Sequence, residues 1–268
     1  MGKTILTKEQ EKIIIHNYVD LKMGQKNSGK QFGVGDKTVK KVLIEHGIHI
    51  RTASEARQKF NIKKNYFSIQ SRNMAYILGM LASDGCVASK KNIIYIELQR
   101  GDREILEKIN KELENDREVK DYCTSRGYEN SKIYFYSKEA KDELATYNII
   151  SNKVYNPNYK FPTKLNKEFY WDFIRGLFDG DGCIKDSNHT PIWEINSTSQ
   201  DMVLKIQKYL KEEGIETKIQ TFEKNRNLPM YRIYCYSQEK CKKIFDKMYN
   251  DTDLFMLRKK NKFISLLK

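Results

Sequence analysis

FIRGLFDGDGCI (residues 173–184) and YILGMLASDGCV (residues 76–87) share one skeleton. Gly79 matches Gly176, Asp84 matches Asp181, Gly85 matches Gly182 and Cys86 matches Cys183, each pair 97 residues apart. A constant offset through several identities marks an internal repeat. Each stretch reads as a helix, with Ile77, Met80 and Leu81 in one and Ile174, Leu177 and Phe178 in the other at helical spacing. Gly79 and Gly176 leave the middle of each helix bare, so two backbones can approach closely there. Gly85 and Gly182 suit a left-handed cap after each helix. If the two helices pack in parallel, Asp84 and Asp181 stand side by side at one mouth of their interface. Paired carboxylates on a basic surface make a site for hard divalent cations. Such ions near a phosphodiester can generate hydroxide and stabilise the leaving oxygen.

The repeat continues outward from the motif. NIIYIELQ (92–99) alternates with period two, as does PIWEIN (191–196), and period two predicts strands. At offset 97, Ile96 lies with Trp193, Glu97 with Glu194, Leu98 with Ile195 and Gln99 with Asn196. ILEKINKEL (105–113) and MVLKIQKYL (202–210) have helical spacing at the same offset, whereas KIYFYSKE (132–139) and RIYCYSQE (232–239) lie 100 apart. AKDELATYN and KCKKIFDKM close the copies as helices. With further strands at VKDYCTSR and TKIQTFEK, each copy runs α-β-β-α-β-β-α. NPNYKFPTKLNKEF (156–169) holds two of the four prolines and links the copies. Alternation turns Ile94, Ile96 and Leu98 inward and Tyr95, Glu97 and Gln99 outward, with Ile192, Glu194 and Asn196 as outward partners. Lys132, Tyr134, Arg232 and Tyr234 are further outward candidates. Glu97 and Glu194 could accept from cytosine amino groups.

Residues 1–50 form a separate helical unit. Thr7 and Gln10 make a capping box ahead of EKIIIHNYVDLKM, in which Ile13, Ile14, Tyr18 and Leu21 recur at helical spacing and Gly24 ends the helix. QKNSGKQFGVGDKTVKKVLIEHG reads as a short helix, a turn at Gly33-Val34-Gly35 and a second helix with Val39, Val42 and Leu43 inside and Gly47 as its stop. This pattern resembles a helix-turn-helix DNA-binding unit, although Gly35 stands where a Ser cap is common. The resemblance would put the second helix in the major groove, with Asp36, Lys37, Lys40 and Lys41 facing out. Residues 51–72 make a basic linker with a short helical stretch, from which Arg51, Arg57, Lys63 and Lys64 could follow a phosphate backbone.

The chain of 268 residues carries 49 Lys and Arg against 35 Asp and Glu, a net charge of +14 that suits a polyanionic partner through counterion release. Its five cysteines form no CxxC pair, which argues against a zinc ribbon or a disulfide framework and for a reduced intracellular setting. No apolar signal core or membrane-length apolar run occurs. No GxxxxGK[ST] loop indicates ATP use, and His189 stands alone without the partners of a His-based nuclease. A cytoplasmic protein of bacterial or phage origin is expected, with an organelle as the alternative. With Met-Gly at its start, ISLLK at its end and no splice-junction residues, the chain reads as free-standing.

ILGMLASDG and IRGLFDGDG resemble the two motifs of the LAGLIDADG homing endonucleases, and the resemblance covers roughly residues 73–268. It implies an α+β fold: tandem pseudo-symmetric αββαββα repeats, residues 73–160 and 161–268, forming a DNA-binding saddle in a monomer. It also implies Mg²⁺ held by Asp84 and Asp181 and cleavage of both strands of a long asymmetric duplex site with short 3′ overhangs. The earlier motif acid is Ala82 in the first copy and Asp179 in the second; in the family that position is not the essential ligand. The resemblance further points to one basic residue per half. NIISNKV offers Lys153, with Val154 where the family often has Ser. LFMLRKKNKF offers Lys259, with Lys260 beside it. Such a lysine polarises the attacking water or stabilises phosphate charge. Gln99 and Asn196 take the place of an amide that orients water. Alternatives on the same scaffold are a non-cleaving DNA-binding regulator and an intron maturase.

Overall fold

The computed structural model describes residues 6–52, 55, 62–156, 159–222 and 228–267. Arg57 and most of the linker's helical stretch lie outside the described residues. The chain divides into two units, Met1–Lys59 and Phe60–Lys268, so both repeats belong to one body. Among the described residues no helix is long and apolar enough to cross a membrane.

The first unit holds α1 (Lys8–Val19), α2 (Gln25–Ser28) and α3 (Asp36–Glu45), with one 3-10 turn at Lys30–Phe32. The capping box forms as a reciprocal pair: the Gln10 amide donates to the Thr7 hydroxyl (3.3 Å) and the Thr7 amide to the Gln10 side chain (3.0 Å). Gly33 and Gly47 both take the left-handed conformation, at φ 67°, where a side chain would strain the backbone. The core is Ile14, Tyr18, Val34, Val39, Val42 and Leu43. Two expectations change. Helix α1 stops at Val19, five residues before Gly24. Ile13 and Leu21 are exposed, because Ile14 and Tyr18 occupy the inner face.

The second unit repeats one pattern twice. The first copy runs α4 (Arg72–Ser83), β1 (Gly85–Val87), β2 (Ile93–Gln99), α5 (Arg103–Glu112), β3 (Lys120–Cys123), β4 (Glu129–Tyr136) and α6 (Lys138–Ala145). The second runs α7 (Tyr170–Asp181), β5 (Gly182–Ser187), β6 (Thr190–Ser197), α8 (Gln200–Glu212), β7 (Lys218–Phe222), β8 (Met230–Tyr236) and α9 (Gln238–Tyr249), followed by a last helix α10 (Leu257–Leu266). Each copy makes one four-stranded antiparallel sheet, ordered β1-β2-β4-β3 and β5-β6-β8-β7. The fold is thus α+β. Side chains on β2 alternate: Ile94, Ile96 and Leu98 are buried, while Tyr95, Glu97 and Gln99 lie on the other face.

Helices α4 and α7 form the spine. Ten of the twelve α4 residues and nine of the twelve α7 residues are buried, the mark of helices packed on all sides. They cross at their glycines. A Cβ on Gly79 would fall 2.3 Å from the Phe173 carbonyl oxygen and 2.9 Å from the Gly176 Cα. A Cβ on Gly176 would fall 2.1 Å from the Tyr76 carbonyl oxygen. Neither obstacle is a side chain that can swing away.

Strand pairing corrects the offset read from the sequence. Gly85 pairs with Ile96, and its counterpart Gly182 pairs with Ile195; Ile133 and Ile233 then face Ile96 and Ile195 from β4 and β8. The equivalent positions of β2 and β6 therefore lie 99 apart, so Glu97 corresponds to Asn196 and Tyr95 to Glu194. The reason is the hairpin: β5 is three residues longer than β1 and closes through a tight turn at Asn188 and His189, both at positive φ. Gln99, opposite Asn130, and Asn196, opposite Arg232, are consequently not counterparts. A slip of two residues keeps each side chain on its expected face.

Candidate active site

The motif helices end together. A Cβ on Gly180 would fall 2.0 Å from the Ser83 hydroxyl and 2.7 Å from Asp84 Oδ2, so the carboxyl ends of α4 and α7 abut. Asp84 is half-buried, while Asp181 opens to solvent although protein crowds it on several sides. Burial pushes the Asp84 carboxyl up to about 6, with the Asp181 charge adding to the rise and Lys153 and Lys259 opposing it. Burial also raises Asp181, against the same two lysines. Among the described residues no side chain or backbone amide donates a hydrogen bond to either carboxylate. Two unpartnered like charges at close range are costly, and a hard cation relieves that cost. Among the described residues no group of three or more His, Cys, Asp or Glu side chains gathers around one point. This donor set fits Mg²⁺, which takes one or two carboxylates and fills its remaining positions with water and phosphate oxygens.

The two lysines take up a role that the sequence does not announce. Lys153 donates to the carbonyl oxygens of Leu81 (3.0 Å), Ser83 and Gly85 (2.8 Å). Lys259 donates to Phe178 (3.4 Å), Gly180 (3.5 Å) and Gly182. Residues 81, 83 and 85 correspond to 178, 180 and 182 at the motif offset. Each ammonium thus closes over the orphan carbonyls at the end of one motif helix, where a cation also opposes the helix dipole. Burial lowers Lys153 to about 8 despite the nearby Asp181 and Asp84 charges. Lys259 is lowered too, by burial and then by Arg258.

Gly85 and Gly182 are therefore not left-handed caps: Gly85 lies in β1, and Gly182 has φ −80°. They are glycines because a Cβ would meet the backbone one turn back, 2.5 Å from the Leu81 Cα and 2.6 Å from the Phe178 carbonyl oxygen.

The outward sheet faces carry paired groups. On the first sheet Glu97 accepts from Asn130 (2.9 Å), and Lys132 lies 3.5 Å from Glu97 and 3.4 Å above the Tyr95 ring centre. Tyr134 is covered by the Arg117 guanidinium, 4.4 Å from its ring centre. On the second sheet Glu194 is held by Lys185 (2.7 Å) and Arg232 (2.6 Å) and is only 5% exposed. Glu194 thus departs from the expected outward, free carboxylate: the longer hairpin brings Lys185 over it, and its oxygens are taken. Arg232 also lies 4.4 Å from the Tyr234 ring centre. A cavity of about 750 Å³ opens beside Asp84, lined among others by Glu97, Gln99, Asp102, Asn130 and Arg258.

In the first unit Lys37, Lys40 and Lys41 are exposed, and Lys41 pairs with Glu45 at 3.5 Å. Arg51 is engaged within the unit: it donates to the Met23 carbonyl (2.6 Å) and stacks over Tyr18 at 4.0 Å.

Arg175 and Arg258 are not singled out by the sequence reading, and Asp179, named there as the earlier motif acid, has a structural role that the reading does not give. Arg175 is fully buried and donates to Asp172 (2.7 Å) and to the carbonyls of Met248 (2.8 Å) and Leu254 (2.9 Å). Asp179, also fully buried, accepts from Tyr76 (2.9 Å), Tyr249 (2.8 Å) and the Met256 amide (2.7 Å). Arg258 forks onto Asp102 at 3.1 and 2.8 Å. An arginine inside the apolar run FIRGLF was the one available signal, since a buried guanidinium needs partners.

Residues 168–249 match the family model described as a LAGLIDADG-like domain. The chain is 25% identical over 204 residues to the uncharacterized protein MJ0314 of Methanocaldococcus jannaschii, covering 70% of this chain and 72% of that one. Solved structures with a similar course include the N-terminal LAGLIDADG domain of DUF199/WhiA (TM-score 0.45, 18% identity, 75% of this chain and 94% of that one). Another is the homing endonuclease I-DmoI, solved in complex with DNA and Ca (TM-score 0.46, 13% identity, 71% and 95%). A third is the LAGLIDADG homing endonuclease I-LtrWI, solved bound to its target DNA (TM-score 0.47, 14% identity, 75% and 89%).

Proposed function

We propose that the chain is a site-specific DNA endonuclease that hydrolyses both strands of a long, asymmetric duplex site as a monomer, with Mg²⁺ as its metal. One observation carries this reading: Asp84 and Asp181 stand at the joined ends of two lysine-closed helices, with no donor on either carboxylate among the described residues. A regulator that only bound DNA would have no use for such a costly pair. When bound there, Mg²⁺ supplies charge neutralisation at the scissile phosphates.

The remaining work falls to the chain's own residues. Tyr95, Glu97, Lys132 and Tyr134 on one sheet, and Arg232 and Tyr234 on the other, with buried Glu194 holding Arg232 in place, present stacked and paired groups to the grooves. Gln99 and Asn196 offer amides that can orient water or donate to bases. Lys132 and Arg232 contribute the electrostatic share of affinity, and the net charge of +14 supports it. In the first unit α2 and α3 act as a helix-turn-helix that lengthens the site, with Lys37, Lys40 and Lys41 on the exposed face of α3. Arg51 supports that unit from within. The lysine cages also bear on the expected role of Lys153 and Lys259. With their donors committed to carbonyls, they hold the acids in place instead of acting on water.

The test is incubation of the protein with a randomised duplex library in Mg²⁺, with Ca²⁺ as control, and sequencing of both cut and bound molecules. Double-strand cuts at one long motif are expected. Specific binding without cuts would overturn the nuclease reading in favour of a DNA-binding regulator.

A further inference from the structure

The two halves attach their lysine-bearing segments to the motif helices by different means, and this difference accounts for Ala82 in one motif where the other has Asp179. In the second half the segment after α9 returns to α7 through Asp179. Its Oδ2 accepts from the amide of Met256 at 2.7 Å, and Met256 is the residue that opens α10. No side chain of α10's own flank caps that helix, so the carboxylate of α7 serves as its cap. The Met256 carbonyl in turn accepts from the amides of Lys259 and Lys260, both at 3.1 Å. Lys259 then reaches back to Phe178, Gly180 and Gly182. Helix α7 holds the start of α10, and α10 holds the end of α7.

In the first half Ala82 stands where Asp179 stands in the second, and no carboxylate is present to do this. Lys153 lies in a single 3-10 turn, Lys153–Tyr155. The chain returns instead through Tyr159, whose buried hydroxyl donates to the Ala82 backbone carbonyl at 2.7 Å. Tyr159 is fixed from behind, since its own carbonyl accepts from Ser199 at 2.7 Å. A side chain from the returning segment onto the motif backbone replaces a motif side chain onto the returning backbone.

We infer that Asp179 and Tyr159 are positioning residues, each setting the lysine cage of its own half: Asp179 for Lys259, and Tyr159 for Lys153. Their consequence for catalysis rests on the nuclease reading above; their effect on the cages does not.

The experiment measures the reactivity of each lysine in the full-length protein by trace acetylation with an N-hydroxysuccinimide ester of acetate, followed by mass spectrometry. Exposed Lys205 is the internal reference. In Asp179→Ala, acetylation of Lys259 relative to Lys205 should rise about tenfold, the shift expected from losing one charge-assisted hydrogen bond. Lys153 should not change. In Tyr159→Phe the pattern should invert, with Lys153 rising and Lys259 unchanged. Asp179→Asn, whose amide oxygen can still accept from Met256, should return Lys259 to near the wild-type rate. An unchanged Lys259 rate in folded Asp179→Ala would overturn the inference. So would an equal rise of both lysines in either variant, which would mean general loosening. A parallel assay on the site recovered from the library should show cleavage lost and binding kept in Asp179→Ala. If wild-type protein cuts nothing, the nuclease reading fails while the acetylation result still decides the positioning roles.

Discussion

The two motif helices carry the same outer chemistry on different interiors. Both end in an acid, both cross at a bare glycine and both are closed by a lysine on three carbonyls. Inside, α4 presents Leu78 and Ala82 where α7 presents Arg175 and Asp179, both fully buried. Around the second helix lies a polar network reaching Asp172, Tyr76, Tyr249 and the backbone of residues 248–256; Arg72 adds a link from Nε to Asp172 at 3.3 Å. What is duplicated is the geometry of the acids. What differs is how each half ties its closing segment down. A repeat under one functional demand can thus hold its site constant while its core diverges, because packing admits many solutions and ligand geometry few.

The largest expected effect tests the part that is the same. Asp84→Asn and Asp181→Asn should each lower double-strand cleavage on the order of 10³-fold, the equivalent of several kcal/mol of transition-state stabilisation. Binding to the same duplex should be kept. Cleavage and gel-shift titrations on the selected site would check both. If one variant nicks a single strand while the other is inert, the acids are not equivalent and the symmetry is only structural.

The next effect tests the part that differs. Arg175→Met removes the buried donor to Asp172, leaving only Arg72 on that acid, and strips two buried carbonyls of their donor; breaking such a pair costs about 3–5 kcal/mol. The counterpart Leu78→Met changes shape within an apolar site and should cost less than about 1.5 kcal/mol. Urea denaturation of both variants would measure the contrast. Equal losses would mean that the network adds no more than apolar packing does.

A smaller effect probes the crossing. Gly79→Ala and Gly176→Ala would each drive a methyl into fixed backbone, and overpacking of this kind costs about 1–3 kcal/mol. The gain of up to about 1 kcal/mol that alanine brings to a helix interior only partly offsets it. Calorimetry should show both transitions lowered by similar amounts, since each glycine meets backbone of the opposite helix. A lowering in one variant alone would make the crossing asymmetric.

Much of this was legible in the sequence because it repeats locally. The motif, the alternation of β2 and the helical stripes are short-range patterns, and the doubled offset reported the pairing of halves. Other features depend on contacts between distant segments. Gly85 and Gly182 looked like left-handed caps because helix-ending glycines usually are; the caps are lysines some 70 residues further on, and the glycines serve clearance. The offset of 97 holds for the motif helices and for α5 and α8, yet β2 and β6 slip to 99, because a turn at Asn188 and His189 lengthens one hairpin without leaving an insertion that α5 and α8 register. Glu194 reads as an outward acid because alternation gives a side chain's face and says nothing of the cations that its neighbours bring to it.

That last point supports the smallest prediction, which compares the two sheet acids. Burial would raise the Glu97 carboxyl, but hydrogen bonds from Tyr122 and Asn130 and the Lys132 charge more than offset it, so the group is held below its ordinary value. A depressed carboxyl adds stability that is full above the unfolded-state value and is lost as pH falls through the folded-state value. Wild-type protein should therefore lose a little more stability than Glu97→Gln between pH 7 and pH 3, by less than about 1 kcal/mol, because the pair is partly solvated. Glu194→Gln should differ in kind. It leaves largely buried Arg232, and Lys185 at the rim, facing a neutral amide at a buried position, so its loss should already appear at pH 7, as a lower urea midpoint than that of Glu97→Gln. If the two variants behave alike at pH 7, the second sheet's acid is as open as the first, and the longer hairpin has changed the register without closing over the charge.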